Sequence, residues 1–213
     1  MSRRLALVAS LLFALALVAP AVSSAALFNF GSNLSEKASV AFPHSSDTAF
    51  WSTALSGGAR AKAPHAGQIY AVRVRGCAER GSGGQLPLTQ VHFQVLVPGA
   101  GAKTTIAVTS GPENMPVCGG HVTSGTISTF HPVNMCVHAG NYVAFNDEGG
   151  FNPTGFPDGV SYEVLAPAPG ASTASFTGTT DNGSVLTSSP HAGDELLMQL
   201  VLATGKNAVG VCR

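Results

Sequence analysis

Ile69-Tyr70-Ala71-Val72-Arg73-Val74-Arg75-Gly76 places Tyr70, Val72 and Val74 on one side of an extended chain and Ala71, Arg73 and Arg75 on the other. A two-residue period of apolar and polar side chains is the pattern of a half-buried β-strand, because successive Cβ atoms point to opposite faces. The same alternation runs through Val91-His92-Phe93-Gln94-Val95 and on to Val97, where Pro98-Gly99 ends it. Thr104 to Thr109, Thr126 to His131, Tyr142 to Asn146 and Val160 to Leu165 repeat it. Leu196 to Ala203 is apolar on both sides apart from Gln199, which predicts a central strand covered on both faces. Weaker segments at Ser39 to Phe42, Ser172 to Phe176 and Ser184 to Thr187 bring the expected total to about eight to ten strands. Gly, Pro, Asn and Asp separate the segments and no helical period alternates with them, so a parallel α/β sheet is excluded. The expected fold is all-β: a single antiparallel β-sandwich, jelly-roll-like, with an immunoglobulin-like sandwich as second choice.

Upstream of these strands, Arg3 and Arg4 precede an apolar run from Leu5 to Val18, then Pro20 and the small residues Ala21-Val22-Ser23-Ser24-Ala25-Ala26. Basic, apolar and small-residue regions in that order are those of a secretory signal peptide, a helix removed by cleavage between Ser24 and Ala26. The run is shorter than the roughly 20 residues that a membrane-spanning helix needs. The expected organisation is a signal peptide over 1–25, a flexible, Asn-containing lead-in over 26–38 and the sandwich over 39–213, with no further domain boundary. No lipid-attachment cysteine lies at the cleavage site and the C-terminal residues carry no sorting motif, so the mature protein is expected to be secreted, extracellular and free of membrane insertion.

Charge is scarce. Setting aside Arg3 and Arg4 leaves nine basic side chains against eleven acidic ones, a balance that gives no electrostatic footprint for nucleic acid. The four cysteines, Cys77, Cys118, Cys136 and Cys212, all follow the signal peptide, and an even count in an oxidising compartment reads as two disulfides. No Cys-x-x-Cys pair supports a zinc site. Three pairings are open; sequential pairing, Cys77 with Cys118 and Cys136 with Cys212, is the simplest to form during export.

One short element occurs three times: His65-Ala66-Gly67-Gln68, His138-Ala139-Gly140-Asn141 and His191-Ala192-Gly193-Asp194. Its physical reading is a tight turn, with Gly taking a positive φ and the following amide or carboxylate bonding locally. The sharper alternative is that His65, His138 and His191 converge as a zinc or copper site. The densest feature is Phe145-Asn146-Asp147-Glu148-Gly149-Gly150-Phe151-Asn152-Pro153-Thr154-Gly155-Phe156-Pro157-Asp158-Gly159, where a strand ends in an acidic pair and a Gly- and Pro-rich loop carries two phenylalanines. Loops on rigid sandwiches commonly hold recognition residues. Phe151 and Phe156, with Trp51, Tyr70 or Tyr142, are therefore candidates for stacking on a sugar ring, and Asp147, Glu148 and Asp158 for ligand binding or calcium, although they lack the spaced ladder of a calcium loop. The alternative is that both phenylalanines fold back to plug the sandwich.

The search for catalysis is negative: no Gly-x-Ser-x-Gly elbow, no His-Glu-x-x-His and no phosphate-binding Gly loop with Lys. Glu148 with Asp158, or Asp194 with Glu195, are the only carboxylate pairs that stand out, and nothing in the sequence sets their separation. No enzyme activity and no cofactor are expected.

Val74-Arg75-Gly76-Cys77, His92-Phe93-Gln94-Val95-Leu96, Pro132-Val133-Asn134-Met135-Cys136-Val137, Gly140-Asn141-Tyr142-Val143-Ala144-Phe145-Asn146-Asp147 and Gly193-Asp194-Glu195-Leu196 together resemble a group of uncharacterised exported β-sandwich proteins of actinobacterial type. The resemblance implies export and a jelly-roll-like sandwich, and it brings no activity with it. The functional expectation is an exported, non-catalytic binding or adhesion module for a glycan or cell-envelope polymer. A structural or protein-interaction domain without a small ligand is the alternative, and a small metalloenzyme a weaker one. The sequence leaves the oligomeric state open.

Overall fold

The computed structural model describes residues 26–42, 48–81, 90–147, 162–177 and 181–208, together with Cys212. The signal helix expected over 1–25 lies outside these residues. Among them fifteen strands follow one another: β1 (Ala26–Gly31), β2 (Val40–Phe42), β3 (Thr48–Ala54), β4 (Gly67–Arg75), β5 (Cys77–Ala78), β6 (Gln90–Pro98), β7 (Lys103–Thr109), β8 (Glu113–Asn114), β9 (Ile127–Phe130), β10 (Cys136–Val137), β11 (Tyr142–Asp147), β12 (Tyr162–Thr177), β13 (Val185–Thr187), β14 (Ser189–Leu196) and β15 (Met198–Thr204). Among the described residues there is no α-helix, only 3-10 turns.

The strands form two antiparallel sheets. One runs β1-β15-β4-β10, with β9 also paired to β4; the other runs β13-β7-β6-β11-β3-β12-β14, with β2 and β5 on β12 and β8 on β6. Taking β1, β3, β4, β6, β7, β9, β11 and β15 as strands one to eight, the pairs are first with eighth, second with seventh, third with sixth and fourth with fifth. That nesting is a long hairpin rolled up, the jelly-roll order, and it separates this sandwich from the immunoglobulin-like one.

Alternation explains most of the core. Ile69, Val72 and Val74 of β4, Val91, Phe93 and Val95 of β6, Val143 and Phe145 of β11 and Leu200 and Leu202 of β15 meet between the sheets. Phe145 lies 4.9 Å from Phe50 and 5.1 Å from Tyr162, ring centroid to ring centroid. Tyr70 departs from the expected face. Leu202 pairs with Ile69 and Val201 with Ala71, so Tyr70 is the extra residue of a β-bulge, and it stands 51% exposed while Ile69 is buried. The strand expected from Leu196 is also divided: Leu196 closes β14, Leu197 makes the corner, and β15 begins at Met198, central in its sheet as predicted.

The second sheet has an additional property. Thr187 pairs with Lys103 on β7, whereas Ser189, two residues on, pairs with Ser175 on β12. Two Cα steps span at most about 7 Å. Both margins of the sheet therefore reach the same short segment, and the sheet curls around a second apolar cluster of Ala49, Trp51, Leu96, Ile106, Ala144, Ala174 and Leu186.

Residues 26–38 are not a flexible lead-in. Ala26–Gly31 is β1, fully paired with β15, and Leu34 and Ala38 form a small buried cluster with Ala166 and Leu197. Phe30 and Leu34 supply apolar surface that is stabilising only when covered, which ties the segment down. The sandwich thus already includes the residues from Ala26 onward.

The disulfides are Cys77–Cys118 and Cys136–Cys212, with Cα atoms 5.2 and 5.1 Å apart, the sequential pairing. The first fixes β5 to the segment after β8, and the second fixes β10 to the chain beyond β15. Such bonds are at home in an oxidising compartment. Among the described residues, no helix is long and apolar enough to cross a membrane.

Candidate functional site

The connection from β3 to β4 builds an open cleft. β3 ends at Ala54, Leu55 is buried, and a 3-10 turn over Ser56–Gly58 reverses the chain, with Gly57 and Gly58 at φ of 65° and 75°. The chain then runs Ala59-Arg60-Ala61-Lys62-Ala63-Pro64 toward β4. A cleft of about 480 Å³ lies between this run, the end of β3 and the Ala139–Gly140 turn.

Its backbone is pinned at three places. The Ser56 N–H and hydroxyl both donate to Oε2 of Glu195, at 3.2 and 2.7 Å, and Glu195 is buried. The Gly31 N–H donates to the Arg60 carbonyl at 2.8 Å. Ala63 donates to the Asn141 carbonyl at 2.8 Å and its own carbonyl accepts from Gly140 at 2.9 Å. The turn opposite is a tight one, as its sequence predicts: Gly140 has φ 91°, and the Asn141 side chain accepts from the His138 N–H at 2.7 Å.

Between the pins, Arg60 and Lys62 project into solvent while their neighbours Ala59, Ala61 and Ala63 leave space. The Lys62 ammonium lies 4.9 Å from the centre of the Tyr142 ring, a cation–π contact worth about 0.5–1 kcal/mol at an exposed position. Among the described residues no acid lines the cleft, and neither Arg60 nor Lys62 has a carboxylate partner.

Of the elements singled out from the sequence, the His138–Asn141 turn lines this cleft through Ala139 and Gly140, while Tyr142 is not in its lining and reaches it only through the Lys62 ammonium at its edge. Trp51 is 1% exposed, enclosed in the curl of the second sheet, so its faces are not open to a sugar; its indole N–H is buried without a hydrogen-bond partner. Asp147 is fully buried and accepts a hydrogen bond from the Tyr162 hydroxyl at 2.9 Å, so this carboxylate is a structural anchor and not a surface ligand. Glu148, Phe151, Phe156 and Asp158 lie outside the described residues.

Asp147 and Tyr162 flank residues 148–161, and their bond ties the two ends together. Burial foremost, then the Asp147 charge and hydrogen bond, pushes the Tyr162 hydroxyl well above its ordinary 10.0. The folded phenol therefore keeps its proton to higher pH than the unfolded one. Its contribution to stability is complete below pH 10 and is lost as the pH climbs from there toward the folded value. Urea melts from pH 7 to 11 are expected to show this alkaline decline in the wild type. Tyr162→Phe should show less of it, and should cost about 1–3 kcal/mol at neutral pH because Asp147 loses a buried donor. Identical alkaline limbs in the two proteins would remove the pair from the account.

The three histidines do not form one site. His65 packs on Phe28 with centroids 4.5 Å apart, beside the pairing of Gly67 with Val137 that His138 follows. His191 lies on β14, its Nε2 2.9 Å from the Ser175 hydroxyl and its ring 5.7 Å from Phe42. Among the described residues the one His, Cys, Asp or Glu group with metal-ligand spacing is Cys77, Cys118 and Glu163, and both of its sulfurs are spent in a disulfide. The repeated element is a shared glycine requirement with two causes: positive φ at Gly140 and Gly193, and at Gly67 the absence of room for a Cβ against the Ala203 carbonyl. Of the carboxylate pairs, Glu195 is taken up by Ser56.

Sequence reasoning passed over Arg60 and Lys62. The available signal was their position in a charge-poor chain, two cations alternating with alanine between a Gly-Gly turn and Pro64. Fold and site together define a two-disulfide jelly roll with a cationic cleft at the β3–β4 corner. No protein family matches the chain, and comparison with curated proteins and with solved structures finds no match.

Proposed function

We propose that this protein is an exported, non-catalytic binding module whose ligand is a glycan or cell-envelope polymer. The observation that carries the reading is the cleft: a recess of about 480 Å³ whose wall is a backbone held at Ser56, Arg60 and Ala63. Its volume falls within the range of small-ligand sites, and a wall fixed in advance lowers the ordering cost of binding. The apolar and small residues of the run give shape, while Arg60, Lys62 and the Thr53 hydroxyl supply polar groups suited to hydroxyl-rich chains.

A second reading, a protein-interaction domain, is favoured by the exposure of Leu27, Tyr70, Ile127 and Val133, at 56, 51, 43 and 69%. Single exposed apolar residues are ordinary on protein surfaces, so the cleft is given precedence. Affinity electrophoresis and pull-down of the mature, disulfide-bonded protein against a panel of soluble and insoluble polysaccharides test the proposal. Retention by at least one polymer is expected. A panel that retains none, with a protein chain captured in its place, would transfer the assignment to the second reading.

A further inference from the structure

We infer that the cleft between the β3–β4 connection and the Ala139–Gly140 turn recognises anionic groups, carboxylate or phosphate, carried on a polyhydroxylated chain. The inference rests on the binding-module reading above and specifies its ligand class.

Three observations lead there. First, Arg60 and Lys62 share one rim, and among the described residues those lining the cleft include no acid to neutralise them. In a chain with nine basic residues after Arg4, two cations together with no carboxylate partner among the described residues form the local excess that an anion answers. Second, the cations stand on a prepared backbone. Gly31 fixes the Arg60 carbonyl, Ala63 is bonded in both directions to the Gly140–Asn141 turn, and the Tyr142 ring sits against the Lys62 ammonium. An arginine fork can take two oxygens of a carboxylate or phosphate at once, and a lysine adds a compact point charge. Third, there is room at the rim: a Cβ built on Gly140 meets nothing within 4 Å.

Neutral glycans are characteristically gripped by open aromatic faces. Among the described residues no aromatic ring lines this cleft; the Tyr142 ring that meets Lys62 is half-buried against the curled sheet, and the ammonium occupies one side of it. Charge therefore takes the leading part in recognition and stacking a lesser one. Single-stranded nucleic acid also carries phosphates, but its binding sites interleave several cations with several aromatic platforms, a pattern the cleft lacks.

The test uses the mature, disulfide-bonded protein and four probes: polygalacturonate for carboxylate, poly(glycerol phosphate) for phosphate, dextran as a neutral chain and oligo(dT) as a nucleic acid. Binding is measured by calorimetry at low and at high sodium chloride, for the wild type, Arg60→Gln, Lys62→Gln and the double variant. Both side chains are exposed, and thermal melts establish that each variant is folded. The expected result is binding of polygalacturonate or poly(glycerol phosphate), weakened at least about tenfold by high salt and by the double variant. Which of the two binds identifies the anionic group. Equal affinity for dextran, indifferent to salt and to both substitutions, overturns the anionic inference and leaves the binding module standing. A preference for oligo(dT) overturns it as well. If none of the four probes binds and the wider polysaccharide panel is also negative, the underlying reading falls with it.

Discussion

Replacing Cys136 and Cys212 together by alanine is expected to lower stability by about 4 kcal/mol, a drop in Tm of roughly 8–16 °C for a domain of this size. The bond closes a loop with a sequence separation of 76, and opening it returns that chain freedom to the unfolded state. Cys77→Ala with Cys118→Ala, where the separation is 41, should cost nearly as much because loop entropy grows only with the logarithm of length. The two loops do not overlap in sequence, so the costs should add, and full reduction should leave little folded protein at 37 °C. Thermal melts with and without reductant measure this. A wild type whose melt is unmoved by complete reduction, verified by thiol titration, would contradict the assigned role.

Gly76→Ala is the point substitution with the largest expected effect, about 4 kcal/mol or more. At this position the chain leaves β4 in one sheet and enters β5 in the other. Gly76 has φ 130°, where a side chain is strained, and a Cβ there would clash with the carbonyl oxygen of Glu163. Backbone lies on both sides of the conflict, so neither can yield as a flexible side chain would. Strain and overpacking each cost about 1–3 kcal/mol, and β12 must also move. Chemical denaturation of the variant against wild type is the measurement. A loss below about 1 kcal/mol would mean that the corner relaxes freely.

How legible these features were in the sequence depended on whether a residue's surroundings were local. In β4 the alternation of Val72 and Val74 with Arg73 and Arg75 is real and was readable, while Tyr70 was misplaced because a bulge is a property of two strands and leaves no mark on one. β3 was missed for the opposite reason. Ala49, Phe50 and Trp51 are all buried, since the sheet curls and covers both faces, and a strand with two dry faces has no alternation to read. The same curl withdraws Trp51 from solvent, and with it a ring that the sequence offers as a stacking partner for Phe151 and Phe156. Chain order leaves three cysteine pairings open, and the sequential one, simplest to form, is the pairing observed. The cleft could not be read, because Arg60 and Lys62 acquire meaning only when the His138–Asn141 turn, far along the chain, closes against Ala63.

The nested pairing of strands also orders events in time. β6 and β7 adjoin in sequence and can zip as soon as both have been made. β1, the first described strand, finds its hydrogen-bonding mate only when β15, the last, arrives. Throughout that wait the flank of β4 that β15 will occupy is an unclaimed row of amides, open to proteases, to a holdase or to a sister chain at the same stage. For this molecule the hazardous interval in its life is set by how quickly its tail follows its head.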